Sequence, residues 1–123
     1  LNGRGKSIKG AKILILGVAY KKDVDDARES PALAIMDLLQ KKGATIFYHD
    51  PYIPSLPAFR KYSFKLISSP LTEQLLRRID ATVVVTDHSH IDYRRIVQLA
   101  PLIIDTRNVT KGMERWKKKI VKA

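Results

Sequence analysis

Residues 13–31 read ILILGVAYKKDVDDARESP, and this stretch decides the fold. The aliphatic run Ile13-Leu14-Ile15-Leu16, closed by Gly17, predicts a short strand buried on both faces. At the far end Ser30-Pro31 joins an N-cap hydroxyl to a proline at the first helical position, where a missing N–H costs nothing. Between them lies a polar loop, so the stretch spells strand, loop, helix. Leu33, Ile35, Met36, Leu38 and Leu39 give that helix its apolar face, Lys41 and Lys42 suit its C-terminal end, and Gly43 supplies the stop.

Working outward, the alternation continues. Residues 45–49 predict a second strand, ended by Asp50-Pro51. Pro51, Pro54 and Pro57, interleaved with Tyr52, Phe59 and Tyr62, predict an extended loop, and residues 64–67 a short third strand. Ser69-Pro70 repeats the cap-plus-proline signal and opens a helix through Leu75, Leu76 and Ile79. Residues 81–85 are almost all β-branched and predict a buried strand; residues 93–99 predict a helix and 102–104 a last strand. The tail, residues 113–123, is expected to be helical or frayed.

Strands alternating with helices imply right-handed crossovers and an α/β fold: a Rossmann-like open parallel sheet of about five strands flanked by helices. The expected order is 3-2-1-4-5. Its switch point lies between the first and fourth strands, and open α/β sheets bind ligands there, outside the carboxyl ends of the strands. The loops of interest therefore begin at Gly17, Thr86 and Asp105.

Composition narrows the function. The 123 residues suit one domain, 45% hydrophobic and 28% charged content is that of a globular protein, and no apolar run is long enough to span a membrane. The polar, Gly-rich start is not a signal peptide, and the missing initiator Met suggests a piece of a longer chain. With no cysteine there is no disulfide, thiolate metal site or thiol nucleophile, which accords with a cytoplasmic location. A net charge of +11 favours an anionic partner, which leaves phosphate-bearing metabolites, nucleic acid and acidic protein surfaces open.

The loop at 17–29 carries Lys21 and Arg28 into a capped helix, whose first backbone N–H groups could join them in holding a pyrophosphate. It is neither a dinucleotide fingerprint, since G-x-G-x-x-G is absent, nor a P-loop. Asp23, Asp25 and Asp26 would repel a phosphate unless paired with Lys22, Arg28 or backbone donors, so on the physics alone a solvated charged turn is the favoured reading.

Residues 17–31 closely resemble the segment that opens the C-terminal domain of the UDP-glucose/GDP-mannose dehydrogenase family: strand, Gly, aromatic-Lys pair, acidic turn, Arg-Glu-Ser. Tyr48-His49-Asp50-Pro51-Tyr52, Thr86-Asp87-His88 and Ile103-Ile104-Asp105-Thr106-Arg107-Asn108, with Gly112 downstream, are similar to its later segments in order and spacing. The resemblance implies that Tyr20, Lys21 and Arg107 contact a UDP-sugar, Arg107 across a subunit interface, and that Arg28 reaches NAD held on an N-terminal domain. It implies a division into a linker (1–11), a nucleotide-sugar-binding domain (12–112) and a basic tail (113–123). It also implies a parent homodimer in which missing N-terminal and central domains supply the catalytic Cys and the NAD-binding fold, so the piece alone is expected to be inactive. The wording is closest to enzymes of UDP-N-acetylhexosamines, then UDP-glucose, then GDP-mannose, and polysaccharide precursor synthesis is the setting the family implies.

Simpler roles stand beside these. Tyr20 can be a packing ring, Arg107 can pair with Asp105 or Asp87, Ser30 is a helix cap and Asp50 a turn cap. His49, His88 and His90 are too scattered for a metal site, and surface or supporting roles suit them better. The competing class is a non-catalytic module for anionic nucleotides or nucleic acid; the charge supports it and the motifs do not. A dimerising interaction domain is compatible with the first reading.

Overall fold

The computed structural model describes residues 8–19, 30–56, 62, 64, 66–89 and 91–122. In chain order the elements are β1 (Lys12–Leu16), α1 (Pro31–Lys41), β2 (Thr45–His49), α2 (Glu73–Arg78), β3 (Ala81–Val84), α3 (Tyr93–Leu99), β4 (Ile103–Asp105), a 3-10 helix (Glu114–Lys119) and β5 (Ile120–Lys122). The five strands are all parallel, in the order β2-β1-β3-β4-β5. The topology reverses between β1 and β3, where the alternation of the sequence put the switch point.

The aliphatic run of β1 is apolar throughout because it feeds two cores. Ile13, Ile15 and Val83 join Met36 of α1 and Tyr48 of β2 on one face. Leu14, Leu16 and Val84 meet Leu76 of α2 with Ile96 and Val97 of α3 on the other. Burying such side chains stabilises by about 1.5–3 kcal/mol each, which is why an unalternating strand belongs at the centre.

Helix α1 starts as its residues dictate: the Ser30 side chain accepts the Ala32 N–H at 3.2 Å, with Pro31 at the first position. Gly43 (φ +92°) ends it and donates to the Gln40 carbonyl. The apolar face is narrower than its composition suggests. Leu33 and Met36 are buried, but Leu38 stands 55% exposed, because two positions beyond Met36 is about 200° around the helix.

Three local expectations are corrected. Helix α2 opens at Glu73, not at Pro70, and its cap is Thr72, whose hydroxyl accepts the Leu75 N–H at 3.1 Å. The Ser69 N–H instead donates to the Tyr48 carbonyl at 2.7 Å, which ties the chain to the sheet before the helix begins. The third strand expected at 64–67 is, among the described residues, only an extended segment beside β2, with single bridges from Ile67 to Ser55 and from Ser68 to Tyr48. Prolines 51 and 54 lack the N–H groups a ladder needs. The fifth strand is Ile120–Lys122, in the tail expected to be helical or frayed; Glu114–Lys119 before it does form a helix, of the 3-10 kind. Among the described residues no helix is long and apolar enough to cross a membrane.

Candidate functional site

Because every strand is parallel, the chain leaves β1, β2, β3 and β4 along one edge of the sheet, and Gly17, Asp50, Thr86 and Thr106 gather there. Gly17 (φ +86°) donates its N–H to the His49 carbonyl at 2.9 Å, turning the chain over the end of β2. The Val85 N–H donates to the Leu16 carbonyl at 2.9 Å, and the Thr86 hydroxyl to the Ala19 carbonyl at 2.9 Å. The exits of β1 and β3 are thereby bound to each other.

Asp50 is the centre of this edge. It is 1% exposed, and its Oδ2 accepts the N–H groups of Val18 and Ala19 and a bond with His88 Nε2, each at 2.8 Å. Its Oδ1 accepts the Tyr52 N–H at 2.8 Å, so it does cap its own turn. A buried carboxylate is tolerated only when its acceptor sites are filled, and these four donors fill them. His88 is fully buried, its ring 4.9 Å from that of Tyr52, and its backbone N–H donates to the Tyr93 hydroxyl at 3.1 Å. His88 is therefore a packed internal partner of Asp50 and not a surface histidine. Burial and nearby carboxylates hold the Tyr48 hydroxyl up at about 12 and push that of Tyr93 higher still, so both stay protonated donors.

The second half of the site follows β4. Asp105 is buried; Oδ1 accepts the N–H groups of Arg107 (3.0 Å) and Val109 (3.1 Å), and Oδ2 accepts the N–H of Thr110 (2.9 Å) and its hydroxyl. Burial alone would raise its pKa, but these bonds, led by those from Thr110, hold the carboxyl below the usual range. The loop they fix carries Arg107, whose exposed guanidinium donates from Nε to the Val85 carbonyl at 3.0 Å. Arg107 thus pairs through its side chain with the exit of β3, and only through its backbone with Asp105. From β5, Lys122 Nζ donates to Asn108 Oδ1 at 2.7 Å and stands 3.6 Å from Asp105 Oδ2, so the basic tail braces this loop.

Of the residues singled out in the sequence, Arg107 is brought to the switch-point edge; Tyr20, Lys21, Arg28 and His90 lie outside the described residues. His49 is turned away from Asp50, its Nδ1 2.8 Å from the Ser69 carbonyl. No group of three or more His, Cys, Asp or Glu side chains among the described residues is placed to hold a metal ion. Sequence reasoning allowed His88 a surface or supporting role without finding its partner Asp50, and it missed the roles of Thr86 and Lys122. The one available signal was that each follows, or ends, a strand on the ligand-binding edge.

Comparison with known proteins agrees with this geometry. Residues 14–112 match the model of the UDP-glucose/GDP-mannose dehydrogenase family, UDP binding domain. A UDP-glucose 6-dehydrogenase of Rhizobium meliloti is 32% identical over 115 residues, 89% of this chain and 26% of the relative. A UDP-N-acetyl-D-mannosamine dehydrogenase of Methanococcus aeolicus is 36% identical over 78 residues, 63% of this chain and 16% of the relative. The crystal structure of an NDP-N-acetyl-D-galactosaminuronic acid dehydrogenase from Methanosarcina mazei superposes with a TM-score of 0.77 at 34% identity, over 100% of this chain and 26% of that one. The chain thus spans about a quarter of the length of several of its relatives. With the family model matched over residues 14–112 and a relative 32% identical over 89% of the chain, this chain belongs to the UDP-glucose/GDP-mannose dehydrogenase family, through its UDP binding domain.

Proposed function

We propose that this chain holds the UDP-sugar substrate of an NAD-dependent nucleotide-sugar 6-dehydrogenase, which oxidises the sugar to its uronic acid. The observation that carries the proposal is the placement of Arg107 beside the switch point. Its backbone is fixed by Asp105 and its Nε by the Val85 carbonyl, which leaves the Nη end of the fork to meet a diphosphate. Tyr20 and Lys21 continue directly from the clamped residues Val18 and Ala19, and we assign them to the same ligand, the ring for packing and the ammonium as a point charge.

The described residues do not fit NAD. The two amides at the β1 exit that a dinucleotide pyrophosphate would use are already taken by Asp50, and the glycine fingerprint is absent from the sequence. Within the proposal, NAD, the catalytic Cys and the oxidation belong to other parts of a cytoplasmic, homodimeric parent enzyme. Arg28 is this chain's contact with the cofactor, and the chain alone is inactive. UDP-N-acetylhexosamines rank first as substrate and UDP-glucose second.

Calorimetry with UDP, UDP-N-acetylhexosamines, UDP-glucose and single-stranded DNA at two salt concentrations tests this. Selective UDP binding, lost in Lys21→Ala and Arg107→Ala, is the expected result. Binding of DNA without nucleotide preference, falling steeply with salt, would instead make the chain an electrostatic polyanion binder.

A further inference from the structure

We infer that Asp50 and His88 are positioning residues for the nucleotide site, acting through the backbone of Val18 and Ala19; the inference rests on the proposed UDP-sugar reading. Two consecutive amides converging on one oxygen form the kind of concave donor pair that elsewhere captures a ligand anion. Here an internal carboxylate fills it. The pair is thereby removed as a phosphate site and serves as an anchor instead, so that the chain running on into Tyr20 and Lys21 leaves the sheet from a fixed point. His88 sets the carboxylate in turn. It reaches Asp50 Oδ2 from the loop after β3, is wholly buried, and is steadied by the Tyr52 ring and by the bond from its N–H to Tyr93. Thr86 adds a separate tie to the Ala19 carbonyl from the same loop. The exits of β2 and β3 therefore converge on residues 18 and 19 of the β1 exit, and the donor from His88 links the β3 loop to Asp50.

An apolar side chain at position 88 would fill the volume and leave Asp50 short of a donor, so the amide turn would compete with water-exposed alternatives. A binding loop that is ordered only part of the time lowers apparent affinity by its ordered fraction.

Amide hydrogen exchange by NMR, together with UDP calorimetry, on the 123-residue chain and its variants His88→Leu and His88→Gln tests the inference. In His88→Leu the amides of Val18 and Ala19 are expected to lose most of their protection while those of Leu14 and Ile15 keep theirs. UDP affinity is expected to fall by about tenfold, the ordered fraction dropping to roughly one tenth. Gln restores a side-chain N–H donor, so His88→Gln recovers most of both. Unchanged protection at Val18 and Ala19 in His88→Leu overturns the inference, as does a uniform loss across β1 and β3, or an equal loss in the Gln variant. Should His88→Leu not fold, His88→Phe, which keeps a buried ring without a donor, must show the same local loss for the inference to stand. Failure of the wild-type chain to bind UDP sinks the nucleotide reading itself and shows before any variant is made, whereas failure of the inference shows only in the variants.

Discussion

Gly17 and Thr86 are packed so closely that a Cβ on residue 17 would stand 2.5 Å from both the Cβ and the carbonyl oxygen of Thr86. Real contacts of that kind do not occur, and the backbone side of Thr86 is fixed by its N–H bond to the Leu16 carbonyl. The close approach is what lets the β1 and β3 exits touch, and hence what lets Thr86 and Asp50 hold the loop between them.

Gly17→Ala is therefore expected to be strongly destabilising, by at least about 2 kcal/mol, from the combined cost of the positive φ and the clash. Urea unfolding followed by circular dichroism measures it. A midpoint within error of wild type would mean that the two exits are not in contact in solution.

The start of α2 gives a paired prediction. Thr72→Ala removes the hydroxyl that caps the Leu75 N–H and is expected to cost about 1 kcal/mol, whereas Ser69→Ala is expected to stay within about 0.5 kcal/mol. The reverse ranking in denaturant titrations would restore the helix start that the Ser69-Pro70 pattern suggests.

That pair shows why part of the molecule was legible in the sequence and part was not. Ser30-Pro31 and Ser69-Pro70 are the same local signal, and only the first starts a helix, because β2 holds the second: the Ser69 N–H donates to the Tyr48 carbonyl, and the Ser69 carbonyl lies 2.8 Å from His49 Nδ1. The central strands were legible because burial on both faces leaves a composition that no other position tolerates. The edges were not. Residues 64–67 look like a strand, yet among the described ones only Ile67 makes a bridge, to Ser55, while Ile120–Lys122 is a strand of three residues hidden in a lysine-rich tail. The placement of Arg107 at the switch-point edge was legible from its position after a strand; its role as a ligand contact belongs to the proposed reading. The Asp50–His88 pair was not legible, since 38 positions separate the two in the chain and only the parallel sheet brings them together.

One buried hydroxyl has no partner among the described residues: Thr82 Oγ1, in β3, in a residue with no exposure at all. Its backbone is fully engaged in the sheet, and valine has the same branched shape without the polar atom. Thr82→Val is expected to raise stability by about 1 kcal/mol, since the desolvated hydroxyl gains nothing from folding. A lower unfolding midpoint for the valine variant would show that the hydroxyl has a bonding partner in solution.

Asp105 links the Arg107 loop to pH. Its carboxyl titrates below the 3.8 of an unperturbed aspartate because the N–H groups of residues 107, 109 and 110 and the Thr110 hydroxyl prefer the ionised form. A depressed folded-state pKa contributes stability above the unfolded value and loses it as pH falls through the folded one. Wild type is thus expected to be more stable than Asp105→Asn at pH 7, with the gap closing progressively below pH 3.8. Urea midpoints of the two proteins from neutral pH down through the range in which aspartates protonate check this, and a gap that widens on acidification contradicts it.

The last strand ties the tail to the site, and the single tryptophan reports on it. Trp116 packs with the second core and lies under the guanidinium groups of Arg94 and Arg115, at 5.3 and 5.6 Å. Were the tail frayed, Trp116 emission would change early and gradually while the sheet stayed intact. Since β5 pairs with β4 and Lys122 braces Asn108, the fluorescence and far-UV transitions are expected to coincide in denaturant. Truncation after Lys119 removes that brace and one of the two strands flanking β4. It is expected to lower the midpoint and, on the proposed reading, to weaken UDP binding several-fold, on the order of 1 kcal/mol, by freeing the loop that carries Arg107. A truncated chain with unchanged midpoint and unchanged UDP affinity would show that the strand contributes nothing to the fold or to the site.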